Sequence, residues 1–173
     1  ITKINRIIVL ELERIYNHLW SAWAILNDVW QWYLLNWFLE VREKFLELNE
    51  EIYWDRKISW FINFWKNNSA LNKEKTERIL ETIEKVFDRF ENLSKIAISS
   101  SWIYDRLATT WIVKNETAEM HSGLWLWARA SWVKQDNRKF DENYLELWFD
   151  YILWENWDCF DRFNLRIKEV RQS

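Results

Sequence analysis

Two histidines are the first residues whose chemistry a site could use. His18 follows Glu11 by seven residues, so both can point to the same side of a helix, and His121 lies beside Ser122 and Gly123. Imidazoles from two helices can hold a haem between aromatic side chains. Because His121 stands in a predicted loop, the pattern favours one interfacial and one loop histidine, with no cofactor between them.

Two carboxylates interrupt apolar helical stripes and are candidates for acid–base chemistry. Glu11 lies between Ile8 and Ile15, and Glu155 lies within the last predicted helix. Partial burial would raise the pKa of such a group and fit it for proton transfer. The sequence favours the alternative that both lie at the rim of the core and accept hydrogen bonds from Tyr or Trp.

The motifs of several enzyme classes are missing. A chain with one glycine has no Gly-rich phosphate loop and no dinucleotide fingerprint. The Glu-x-x-His pattern of ferritin-like di-iron sites fails, because Ile15 and Ala118 stand three residues before the histidines. Cys159 is the single cysteine and is predicted to be a small buried hydrophobe. The sequence therefore predicts no catalytic, cofactor-binding or metal-binding residue.

Sixteen tryptophans are the most unusual feature of the composition. Tyr16, Trp23, Trp30 and Trp37 recur at seven-residue intervals, which would place them on one helix face. Tryptophan is rarely fully buried, so sixteen indoles cannot all lie in one small core. These four residues are predicted as a candidate binding surface for a protein partner, a second copy of the chain or a flat ligand. The alternative, which the sequence favours, is that the indoles mostly fill the core.

Helices must position these residues, since apolar side chains recur at three- and four-residue spacing almost throughout. We predict a first helix over 3–26, a second over 29–48 and a third over 52–66; at Asn27-Asp28 the first helix either breaks and is capped again or runs on. The clearest pattern covers 73–93.

The second half of the chain has weaker signals. We predict that Ser101 caps a helix reaching Lys114, that 115–117 is a loop, and that a helix near Gly123 reaches Lys134. Asp141 is predicted to cap a long final helix ending near Val170. Together these elements predict an all-α fold: one domain over 1–173, a compact bundle of five to seven helices with an aromatic-rich core.

Composition excludes some partners. The net charge is −3 with acids and bases interleaved, so there is no basic footprint for nucleic acid. The apolar stretch 19–39 contains Asp28, and no membrane span is predicted. No signal peptide is recognised, and the localisation stays open.

Glycine and proline are scarce in this chain. An ordinary chain of this length has about 12 glycines and about 9 prolines, whereas this one has one glycine and no proline.

The order of the helices resembles that of long-chain helical cytokines of the type I interferon kind. The residues that carry this resemblance are 26–32 after the first helix and 86–93 in a middle helix. The resemblance implies a binding protein with a protein partner. The chain departs from that family in lacking its paired cysteines and its Cys-Ala-Trp element. The start also resembles a ferritin-like helix, at Asn5-Arg6, 10–12 and Tyr16, but the second helix lacks the metal ligands.

Taken together, the sequence predicts an artificial or designed-like helical bundle with a structural role and no enzymatic activity. The alternative is a binding protein with a Trp-rich surface or pocket, cytokine-like or for a flat hydrophobic ligand. Self-association into a homo-oligomer through the aromatic surface is the candidate mode of partnership.

Overall fold

A computed structural model describes residues 2–58, 71–123, 125–147 and 149–173, apart from the side chains of Thr2 and Trp125. Within these ranges the chain forms eight α-helices and a 3₁₀ turn, and no strand. The helices are α1 Thr2–Asp28, α2 Trp32–Tyr53, α3 Lys73–Ser99, α4 Ser101–Leu107, α5 Asn115–Met120, α6 Trp125–Arg129, α7 Glu142–Glu146 and α8 Cys159–Gln172; the 3₁₀ turn Asn137–Phe140 precedes α7. The predicted all-α class is confirmed.

The core lies where α1 packs against α2 and α8, and where α2 packs against α3. Apolar residues at helical spacing face this centre from each helix, because burying one stripe is what stabilises an amphipathic helix. Phe38 of α2 lies between Phe90 of α3 and Phe163 of α8, with ring centroids 6.3 and 6.5 Å apart. These rings make the core aromatic, as predicted, and they fix α8 against the long helices.

Polar side chains mark several helix starts. Asn72 accepts a hydrogen bond from the backbone N–H of Lys75 at 2.9 Å and begins α3. Asp158 does the same for the N–H of Asp161 and begins α8. Such caps satisfy backbone donors that have no partner inside the helix. Asp141 caps α7 as the sequence predicted, although that helix ends at Glu146.

Other predicted elements differ from the structure. The long final helix predicted from Asp141 is wrong: α7 is short, non-helical chain follows it, and α8 begins only at Cys159. The predicted loop 115–117 is the start of α5, and the helix predicted to reach Lys114 ends at Leu107.

The third predicted helix, 52–66, is also corrected over its described part. Ile52 and Tyr53 are the last turn of α2, and 54–58 are not helical; 59–66 lie outside the described residues. The described part has eight helices, compared with the five to seven predicted. The single domain over 1–173 stays a prediction.

Candidate functional site: a buried ring of alternating charges

The most unusual polar site of the described residues lies between α1, α8 and the segment that joins α6 to α7. Three carboxylates and three guanidinium groups alternate around a closed circuit, which we call the charge ring. Its members, in order, are Glu11, Arg14, Glu169, Arg129, Asp136 and Arg138. The ring has no formal net charge when all six groups are ionised.

Glu169 of α8 is the most enclosed carboxylate of the ring, with 1% of its surface exposed. Its Oε1 accepts from Arg129 Nε at 2.8 Å, and Arg129 Nη2 lies 2.7 Å from the same oxygen. Its Oε2 lies 2.9 Å from His18 Nε2 and accepts from Arg14 Nη1 at 3.4 Å. Both oxygens are thus occupied by basic groups, which offsets the cost of burying the charge.

Arg129 and Arg138 both contact Asp136 and share its Oδ2. Arg129, itself only 3% exposed, places Nη1 3.2 Å from Asp136 Oδ2 and donates to the carbonyl of Gln135 at 3.2 Å. Arg138 donates to Asp136 from Nε at 2.9 Å and from Nη2 at 2.6 Å. This two-point contact aligns the guanidinium of Arg138 with the carboxylate of Asp136, and the contact from Arg129 to Asp136 ties the segment after α6 to the rest of the ring.

Glu11 closes the circuit on α1. Its Oε2 accepts from Arg14 Nε and Nη2 at 3.0 and 2.7 Å, and its Oε1 lies 3.9 Å from Arg138 Nη1. Tyr144 of α7 donates its hydroxyl to Glu11 Oε1 at 2.7 Å. The prediction that Glu11 accepts a hydrogen bond from Tyr or Trp is therefore confirmed.

The protonation states follow from these contacts. Burial alone would raise the pKa of Glu169, but the hydrogen bond from His18 and the charges of Arg129 and Arg14 outweigh it and hold the pKa below its usual value. Burial likewise opposes ionisation of Asp136, and its hydrogen bonds from Arg138 lower the pKa. Burial lowers the pKa of His18 despite Glu169, which makes the imidazole neutral at pH 7.

Two cavities adjoin the ring and share Glu11, Arg138 and Tyr144 in their walls. One, of about 330 Å³, lies between α1 and α3 and is mostly aliphatic, with Ile7, Ile15 and Ile79 among its lining residues. The other, of about 550 Å³, is lined by ring residues and by the segment from Gln135. The ring therefore lies at the wall of two cavities, and a concave space with a few convergent polar groups is a common setting for a ligand site.

The four residues of the predicted aromatic surface do not share one helix. Tyr16 is buried in α1 and donates to the carbonyl of Lys57 at 3.0 Å; burial raises its pKa to about 12. Trp23 is half-buried and stacks on Trp20, with ring centroids 4.3 Å apart. The helix ends at Asp28, so Trp30 lies in the turn and is 70% exposed, whereas Trp37 lies half-buried on α2. Partner binding by these residues stays a prediction.

The other predicted residues are not brought together. His18 is fully buried, whereas His121 is exposed at the end of α5, so the two do not form a haem pair. Glu155 is exposed in the chain before α8 and lines a different cavity from Glu11. Among the residues that the structure describes, no group of His, Cys, Asp and Glu is arranged to hold a metal ion.

Sequence reasoning missed five members of the ring: Arg14, Arg129, Asp136, Arg138 and Glu169. The one local signal was that Glu11 and His18 both interrupt an apolar stripe of α1, which requires polar partners elsewhere. Tyr144, which donates to Glu11, lies 133 residues away along the chain, and nothing local identifies it.

Curated relatives cover nearly the whole chain. An NADH-quinone oxidoreductase subunit of Roseiflexus sp. (strain RS-1) is 29% identical over 97% of this chain and 46% of its own length. An NADH-quinone oxidoreductase subunit of Akkermansia muciniphila is 27% identical over 97% of the chain and 41% of its own length. The NADH-ubiquinone oxidoreductase 49 kDa subunit of Acanthamoeba castellanii is 28% identical over 97% of the chain and 42% of its own length. The chain spans less than half the length of these relatives.

These relatives overturn several predictions. An artificial or designed-like bundle is wrong, because the chain is similar along 97% of its length to proteins of bacteria and of an amoeba. A purely structural role without enzymatic activity is contradicted, since those proteins are oxidoreductase subunits. A homo-oligomer through an aromatic surface and a cytokine-like binding role are contradicted on the same ground. Separately, no described helix is long and apolar enough to span a membrane.

One family model matches most of the chain. It is described as the 49 Kd subunit of the respiratory-chain NADH dehydrogenase and matches residues 28–173. That range includes α2 to α8 and four members of the charge ring, while α1 supplies Glu11 and Arg14 from the preceding residues. The chain therefore belongs to the family of the 49 kDa subunit of the respiratory-chain NADH dehydrogenase.

Proposed function

We propose that this chain is the helical part of a subunit of an NADH–quinone oxidoreductase, and that its partners are the other subunits of that enzyme. The family match over residues 28–173 is the observation that carries the proposal. The named relatives support it. Two are NADH-quinone oxidoreductase subunits from bacteria, and one is the 49 kDa subunit of NADH-ubiquinone oxidoreductase from an amoeba.

The charge ring is the part of the chain that we assign to the enzyme's chemistry. Reduction of a quinone to a quinol takes up two electrons and two protons, so charge changes near its site. Buried charges respond strongly to such a change, because the surrounding medium screens them weakly. Six charges fixed beside two cavities give the chain a region that is sensitive to a change of charge at a nearby quinone.

One uncharged group that contacts the ring can take up a proton. His18 is neutral and contacts Glu169, whereas Tyr144 keeps its proton, because burial and the hydrogen bond to Glu11 raise its pKa. A proton gained by His18 would add one positive charge beside the ring. We assign to His18 the role of a proton store next to the ring, with Glu169 positioning it.

Purification of the tagged protein from the organism that encodes it tests the proposed function. Membranes would be solubilised in mild detergent, and NADH-dependent reduction of decylubiquinone would be measured in the purified fraction. We expect the tagged protein to copurify with this activity, and an untagged strain taken through the same steps is the control. Tagged protein that is recovered without NADH–quinone activity would contradict the proposal.

A further inference from the structure

Tryptophan stands where this fold uses the left-handed backbone region. Eight described residues have a positive φ, and five of them are tryptophans: Trp30, Trp54, Trp111, Trp132 and Trp157, with φ between 52° and 65°. The β-carbon disfavours this conformation, and for a bulky residue it is an outlier. Glycine is the residue that adopts it without strain, yet the chain contains one glycine, Gly123, which has no positive φ.

Three of these tryptophans occupy a known glycine position at helix ends. After α1, Trp30 N–H donates to the Asn27 carbonyl at 3.1 Å and Gln31 N–H donates to the Leu26 carbonyl at 2.9 Å. This pair of bonds is the Schellman motif, in which the residue at the Trp30 position is usually glycine.

The ends of α2 and α6 repeat this geometry. After α6, Trp132 N–H donates to the Arg129 carbonyl at 3.2 Å and Val133 N–H donates to the Ala128 carbonyl at 2.9 Å, again a Schellman motif. At the end of α2, Trp54 is left-handed and its N–H donates to the Glu50 carbonyl, which is the simpler left-handed cap. The bonding pattern thus requires a left-handed residue at each place, whatever the side chain.

The indoles gain little at these positions that would offset the strain. Trp54 is 89% exposed, Trp111 is 81% exposed and Trp30 is 70% exposed, so these rings lie largely in solvent. Trp157 is half-buried, but its indole Nε1 is enclosed and has no hydrogen-bond partner among the described residues. By contrast Trp102, in α4, donates its indole N–H to the Val29 carbonyl at 2.8 Å. Trp30 stacks on Trp32, with ring centroids 5.9 Å apart, and Trp132 is 45% exposed. The left-handed positions therefore show a glycine backbone at which the indole rings make few contacts.

We infer that the mature protein carries glycine at positions 30, 54, 111, 132 and 157. The codon at these positions is written as tryptophan in this sequence, and the organism translates that codon as glycine. The tryptophan codon UGG differs from the glycine codon GGG only in the first base, so one altered reading, in the message or by the tRNA, accounts for all five. The same reading accounts for five of the sixteen tryptophans and would raise the number of glycines from one to six.

Mass spectrometry of the native protein tests the inference directly. Three tryptic peptides, 45–56, 107–114 and 130–134, each contain one of the five positions. We expect fragment spectra that place glycine at positions 54, 111 and 132. Thr109, also left-handed, lies in peptide 107–114 and is an internal control that should remain threonine. Tryptophan at any of the three positions would overturn the inference.

A comparison of two recombinant chains tests its structural premise. One has the sequence as written, and the other carries glycine at all five positions. We expect the second chain to unfold at a higher temperature and in more urea, because five strained residues are relieved. An unchanged or lower midpoint would show that the tryptophans fit these positions, and would count against the inference even before native peptides are sequenced.

Discussion

Glu169 stays ionised in the interior because three basic groups surround its two oxygens. Arg129 takes one oxygen, while His18 and Arg14 share the other. His18 differs from the arginines because it is neutral at pH 7 and takes up a proton only in more acid solution, since burial lowers its pKa. The balance around Glu169 therefore depends on pH through His18.

His18 should make the protein less stable below neutral pH. Its folded pKa is below 6.5, the value for an exposed histidine, so below that pH the unfolded chain binds a proton that the folded chain resists. Its contribution is complete above about pH 6.5 and falls by up to about 1.4 kcal/mol per pH unit below it. Glu169, whose pKa is lowered from 4.5, loses its contribution only in more acid solution. Urea unfolding at about pH 7.5 and about pH 5.5 measures the slope.

Two variants separate His18 from other causes of that slope. His18→Gln should flatten the dependence between those pH values, whereas His121→Gln, at an exposed histidine, should leave it unchanged. An equal slope in the wild type and in His18→Gln would show that His18 titrates no differently in the folded and unfolded chains.

Trp54 provides a single-residue test of backbone strain at a helix end. We expect Trp54→Gly to raise the free energy of unfolding by about 1 kcal/mol, because a left-handed residue loses its β-carbon. Trp54→Ala keeps that carbon and should gain less. Trp20→Gly is the matched control in the interior of α1, where glycine should lower stability. Chemical denaturation of the three variants gives the comparison; a less stable Trp54→Gly would contradict it.

At the scale of elements, α8 contributes side chains to both hydrophobic clusters of the described residues. Phe163 and Ile167 of α8 belong to the main core, and Leu165 packs with Leu126 and Ala130 near α6. Glu169 brings the charge ring to the same helix. Both the main core and the charge ring therefore form only when α8 is packed against the other helices.

Truncation of a buried α8 ring measures that docking. Phe163 is fully buried and lies against Phe38, so Phe163→Ala should lower the free energy of unfolding by about 3–5 kcal/mol. Phe140→Ala removes a ring that is 76% exposed and should change it by less than about 0.5 kcal/mol. Unfolding of both variants in guanidinium chloride measures the two changes in the free energy of unfolding. Similar small losses would mean that the side chains of α8 that face the core do not hold the helix in place.

The helices that sequence predicted best have both an apolar stripe and a polar cap. For α3 the predicted start at Lys73 is the observed one, and Asn72 caps it. The prediction failed between Asp141 and Cys159, where the chain leaves the helix after Glu146 without a glycine or proline to mark the end. Helix ends after α1, α2 and α6 carry tryptophan in the glycine position, so the usual stop signal is missing there too.

At the scale of the whole molecule, the charge ring is a product of the tertiary fold. Glu11 and Arg14 are neighbours on α1, but Arg14 and Glu169 are 155 residues apart and Arg129 and Glu169 are 40 apart. The sequence singled out Glu11 because it interrupts an apolar stripe, and His18 because it is one of two histidines and can point to the same side of the helix as Glu11. It could not reveal the other members, since pairing across helices depends on how the helices pack rather than on local spacing.

The rate of quinone reduction per assembled enzyme tests most directly whether the ring belongs to the functional site. Enzyme would be purified from strains that carry Glu169→Gln, His18→Gln or Glu155→Gln, and NADH-dependent reduction of decylubiquinone would be normalised to the amount of the complex. His18→Gln leaves all six charges of the ring in place, so it remains informative if Glu169→Gln fails to assemble.

We expect Glu169→Gln and His18→Gln to lower the rate by about 100-fold, the scale of losing a positioned proton-transfer group. Glu155→Gln changes an exposed carboxylate outside the ring and should retain the wild-type rate. A wild-type rate in assembled His18→Gln enzyme would contradict the assignment of the charge ring and His18 to the chemistry of the enzyme.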